Sequence, residues 1–93
     1  VPRPPKTVRD NARKGLQRRP DTKGGTRVGV ARARDLKNNR NVSTRTLKRM
    51  VSFFARHRQN KNTEKGRTAW LLWGGDAGEQ WAKRELKKRN RKR

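Results

Sequence analysis

In this chain of 93 residues, few side chains are equipped for chemistry: one histidine, His57, two carboxylates three apart, Asp76 and Glu79, and three tryptophans, Trp70, Trp73 and Trp81. A general base at His57 beside a metal held by Asp76 and Glu79 would make a nuclease-like centre. Such a centre needs more ligands than the sequence supplies. There is no second His and no Cys, and no third carboxylate at a useful spacing. His57 sits between Arg56 and Arg58 at the expected end of a helix, where it terminates that helix or donates to a carbonyl. Asp76 and Glu79 are spaced as a capping box. No catalytic residue, metal site, cofactor or small-molecule substrate is therefore expected, and the function expected is binding.

Trp70 and Trp73 invite a second chemistry, the stacking of aromatic rings on nucleic-acid bases. Trp at i and i+3 around Leu71 and Leu72 more simply builds a core. A chain that is only 27% apolar, with seven of those residues alanine, needs its aromatics inside. Gly74 and Gly75 then make a tight turn that brings Trp81 back onto Trp70, with Asp76 capping the helix that follows.

What remains is charge. The net charge is +22, and so large a surplus calls for an anionic partner. The basic residues fall into three groups: the N-terminal third, including Arg13 and Arg32; a stripe of Arg45, Arg49 and Arg56; and the tail Lys87, Lys88, Arg89, Arg91, Lys92 and Arg93. Arginine dominates the first two groups, and its planar fork suits phosphate oxygens. No Asn or Gln interrupts the stripe to read adenine, so recognition by shape and charge is expected rather than by sequence.

Short helices must position these groups. Residues 1–6 are Pro-rich and read as an extended arm. Val8, Ala12 and Leu16 mark a first helix, capped by Thr7 with Asp10 and stopped by Pro20. A second spans 27–37 with Val28, Ala31 and Leu36 inward and Asn38-Asn39 at its end. The third is the clearest: Ser43 caps it, and Leu47, Met50, Val51 and Phe54 follow the i, i+3, i+4, i+7 rule opposite the arginine stripe. Residues 59–66 read as a flexible linker. Residues 68–82 hold all three Trp and no Lys or Arg. They predict a short buried helix to Trp73, then a last helix with Ala77, Trp81 and Leu86 inward. The fold expected is all-α: four to five short helices in one domain over 7–86, with a basic extension, 87–93, able to stay helical. There are too few large apolar residues for a second core, and there is no apolar run long enough for a membrane span. Val1 in place of Met is read as a trimmed initiator or a cut precursor.

The segments Val51-Ser52-Phe53-Phe54-Ala55-Arg56-His57 and Ala69-Trp70-Leu71-Leu72-Trp73-Gly74-Gly75-Asp76-Ala77-Gly78 resemble a small domain recurring in tailed-phage and large DNA-virus proteins. Residues 29–36 and 43–50 are similar to it as well, so the resemblance covers about residues 8–82. It implies an all-helical viral module and carries over no catalytic residue. The shorter, more basic linker after His57 and the basic tail depart from the pattern. The expectation is a non-enzymatic virion protein, on or inside the inner face of the capsid, that binds nucleic acid, DNA before RNA. A minor capsid or cement protein contacting acidic surfaces of larger capsid subunits is the first alternative. An rRNA-binding protein of ribosomal type is the second.

Overall fold

The apolar positions are spaced for helices throughout, and helices are what form. The computed structural model describes residues 3–22 and 24–91, side chains excepted at 21, 22 and 89–91. In order come α1 (Lys6–Thr22), α2 (Arg27–Lys37), α3 (Thr44–His57), a 3-10 turn (Arg58–Asn60), α4 (Glu64–Leu72) and α5 (Gly75–Arg91). No strand occurs among the described residues. α1 packs on α4 and α2, while α3 packs on α5. The body measures 44 × 27 × 20 Å, and its thinnest dimension is about two helix diameters, which leaves each helix a wet face.

One core joins all five helices: Val8 and Ala12 from α1, Ala33 and Leu36 from α2, Leu47, Met50, Phe53 and Phe54 from α3, Trp70 and Leu72 from α4, and Trp81 and Ala82 from α5, with Trp73 between the last two. Trp70, Trp73 and Trp81 are buried as expected, and Val51 is half-buried at the margin. Phe53 is not among the positions that the i, i+3, i+4, i+7 spacing places inward on α3. The structure buries it and so widens the apolar face of α3. The ring partners of Trp70 are Phe54 (4.7 Å between centroids) and Phe53 (6.3 Å), in place of the expected Trp81.

Several boundaries move. α1 begins at Lys6, with the Arg9 amide bonded to the Pro5 carbonyl. Thr7 is thus inside the helix, and Asp10 faces Arg13 at 3.6 Å instead of closing a cap. α1 also runs through Pro20. A proline withholds one N–H but has a helical φ of its own, and packing on α4 carries the helix to Thr22. The N-terminal arm is anchored: Pro4 is fully buried, its carbonyl accepts from Arg9 at 2.8 Å, and Arg3 donates to Asn41 at 3.2 Å. In α2 the inward residues are Gly29, Ala33 and Leu36, while Val28 is 54% exposed and Ala31 is exposed. Small residues take the inner face because α2 lies close to Trp73: a Cβ on Gly29 would be 3.2 Å from its indole nitrogen.

Ser43 caps α3 as expected, its hydroxyl accepting from the Thr46 amide at 3.1 Å. Thr26 and Thr63 cap α2 and α4 in the same way, at 3.2 and 3.0 Å. The Thr63 cap starts α4 at Glu64, so the last third of the expected linker is helix. Gly74 (φ 107°) and Gly75 (φ 68°) make the turn into α5 in the left-handed region that glycine tolerates. Asn11 on α1 donates to the Gly74 carbonyl at 2.9 Å and ties the turn down. α5 starts at Gly75, two residues too early for Asp76 to be its cap, and no capping box forms. Asp76 instead accepts from the Trp70 indole at 2.8 Å and faces Lys61 at 3.5 Å. Glu79 is buried, bonded to Arg58 and 3.6 Å from Lys83. α5 then continues as one helix into the basic extension.

Candidate nucleic-acid interface

α3 presents its guanidinium stripe because its core face is full. With Leu47, Met50, Phe53 and Phe54 buried, Arg45, Arg49, Ser52 and Arg56 must face water, and all four are exposed. At 1.5 Å of rise per residue, Arg45 and Arg56 stand about 16 Å apart along the axis. None of the three arginines forms an ion pair among the described residues.

Beside the stripe lies a cleft of ≈ 820 Å³ between the start of α2, the second half of α3 and the start of α4. Arg49 and Arg56 form one wall, Lys65 stands opposite, and Val28 and Ala69 add apolar surface. Among the described residues no acid lines it. An aromatic column runs along it. Trp73 and Phe53 stack at 4.7 Å with 13° between planes, and Phe53 and His57 stack at 4.5 Å with 24°. The Arg32 guanidinium sits 5.8 Å from the Trp73 ring centroid. Trp73 and Phe53 are buried and His57 is exposed, so the column meets solvent at the imidazole.

A second, more polar groove of ≈ 690 Å³ runs along the packed seam of α1 and α4, with Asp76 in its lining. Lys14 and Arg18 line one side, with Lys61 and Arg67 across from them. Arg18 also donates to Thr68 at 3.3 Å, which fixes its direction. Lys61 and Arg58 lie 5.4 and 5.8 Å from the Trp70 ring centroid. These cations are thus held by an aromatic face as well as by carboxylates.

The other residues expected to bind polyanions divide. Arg13 is exposed, and its pair with Asp10 is a surface contact of little worth. Arg32 does not belong to the surface set: its side chain is 17% exposed, it bonds Asp35 at 3.4 Å, and it covers Trp73. Lys87 and Lys88 are exposed on α5, with Lys88 3.2 Å from Glu85. The side chains of Arg89 and Arg91, and all of Lys92 and Arg93, lie outside the described residues. The cleft itself was not foreseen. Its one sequence signal is Phe53 four residues before His57, a spacing that brings two rings together on a helix.

Among the described residues no three His, Cys, Asp or Glu gather to hold a metal ion, and no helix is long and apolar enough to cross a membrane. Compared with family models, with curated proteins and with solved structures, the chain matches none.

Proposed function

We propose that this protein acts by binding, not catalysis: it holds nucleic acid, DNA before RNA, through phosphate contacts without reading sequence. One observation carries the reading. Five acids, Asp10, Asp35, Asp76, Glu79 and Glu85, already pair with cations of the chain itself, while Arg45, Arg49 and Arg56 form a row on one helix face with no ion pair among the described residues. A row of exposed guanidinium groups at helical spacing suits a phosphate backbone, whose oxygens accept from the planar arginine fork. The virion, next to packaged genome, is the place proposed for it, on the viral resemblance of the motifs within residues 8–82 alone.

The salt dependence of binding tests the proposal. If the stripe, the grooves and the C-terminal extension together neutralise about 8 phosphates, the logarithm of duplex-DNA affinity falls against that of salt with a slope near −7. A slope shallower than about −2 on duplex DNA would reject the proposal. Mass analysis of purified virions tests the location, because it reads presence, copy number and mature N-terminus together.

A further inference from the structure

Duplex phosphates engage the arginine stripe, but they leave the cleft beside it unexplained, and its chemistry differs from that of the stripe. We propose that the cleft receives an unpaired nucleotide, whose base stacks on the exposed face of His57 while its flanking phosphates meet Arg49 and Arg56. The proposal rests on the nucleic-acid reading and sharpens it to single-stranded or frayed segments.

Three features converge. The first is the platform. His57 stacks on Phe53, and Phe53 on Trp73, with the planes within 24° and 13° of parallel. Two buried rings therefore set the plane of an exposed one, and an imidazole held this way offers a base a flat surface with little left to order. The second is the lining. Val28, the one large apolar side chain exposed among the described residues, borders the same cleft as Ala69 and the column. Solvent-facing valine beside a ring suits the edge of a flat, weakly polar ligand. The third is charge. Arg49 and Arg56 on one side and Lys65 on the other bracket the rings, and among the described residues no acid lines the space. A base between cations at either phosphate matches that arrangement. A volume of ≈ 820 Å³ lies within the range of small-ligand sites.

Pairing state follows from geometry. Inside a duplex both faces of a base are covered by its neighbours and its Watson–Crick edge by its partner, so a protein ring can stack only on a base that has left the helix or lies at its end. The stripe on the outer face of α3 and the cleft at its flank share Arg49 and Arg56. A strand that tracks the stripe can thus turn one base inward without losing its phosphate contacts.

The experiment compares an oligothymidylate with an abasic sugar-phosphate strand of equal length, by fluorescence anisotropy at fixed salt, on the full chain. The two strands carry the same phosphates and differ only in bases. The native protein is expected to prefer the base-bearing strand by about 5- to 150-fold, the range for one stacked base. H57A, at an exposed position the core does not need, is expected to lose that preference while keeping its affinity for the abasic strand. H57F, which retains a ring and removes the imidazole nitrogens, is expected to keep it. Equal binding of both strands by the native protein overturns the stacking site and leaves phosphate binding standing. A preference that survives H57A overturns it too, as does tighter binding of an acidic peptide than of either strand. Absence of binding to both strands overturns the site, and absence of binding to a duplex of equal length as well overturns the nucleic-acid reading with it.

Discussion

Replacing Arg45, Arg49 and Arg56 together by alanine isolates the surface on which the functional reading depends. All three are exposed, sit on one helix face and form no ion pair among the described residues, so their removal leaves the core untouched. If each meets one phosphate, the variant neutralises about 3 fewer phosphates, and the duplex salt slope falls from about −7 to about −4.5. The same relation sets the loss of affinity. At 0.15 M monovalent salt, removal of three contacts lowers the binding constant by about 2 decades, and at 0.05 M by about 3.5. Anisotropy titrations of a labelled duplex across that salt range read slope and affinity together, and far-UV circular dichroism checks that helix content is retained. The corresponding triple lysine variant keeps the slope, because the slope counts charges, and changes only the intercept, where the arginine fork matters. A triple alanine variant whose slope stays within about 1 of the native value would refute the stripe as the phosphate-binding face.

Three further outcomes follow from the packing. Gly15→Ala should destabilise the protein, although alanine is the better helix former by about 1 kcal/mol: its Cβ would lie 2.6 Å from the Leu72 backbone nitrogen, and separating α1 from α4 costs about 1–3 kcal/mol net. A thermal melt then shows a midpoint lower by roughly 4–8 °C per kcal/mol, and a raised midpoint contradicts the close approach. Asp76→Ala should cost about 1–3 kcal/mol by leaving the buried Trp70 N–H without its acceptor, whereas Asp76→Asn keeps an acceptor and loses less; urea unfolding of both variants measures the difference. Thr63→Ala should cost about 1 kcal/mol and fray the start of α4, read as faster amide exchange at residues 64–66.

Much of this molecule was legible in one dimension. Leu47, Met50 and Phe54 recur at helical spacing with Ser43 in front, and α3 starts and packs accordingly, its arginines left outside. Residues 68–82 hold every tryptophan and no cation, and they form the inner part of the fold. Gly74-Gly75 marked a turn that two positive φ angles now explain. These features could be read because each depends on near neighbours along the chain: periodicity, a cap, a left-handed turn.

Where expectation and structure part, a distant residue decided. Val28 and Ala31 lost their inward places to Gly29 and Ala33 because the indole of Trp73, over forty residues away, lies against that face of α2. Asp76 and Glu79 had the spacing of a cap, but the Trp70 N–H and the cations Lys61 and Arg58 claimed them first. Arg32 left the polyanion set because Asp35 and Trp73 enclose it. The cleft is the extreme case, since its walls come from α2, α3 and α4 and no single stretch of chain contains it. Sequence alone determined an all-helical chain with a +22 surplus carried outside a tryptophan core, because helix periodicity and net charge are sums over local choices. Only the tertiary structure decided which cations remain unpaired and where an aromatic column reaches water, because ion pairing and burial depend on which faces the folded helices bring together.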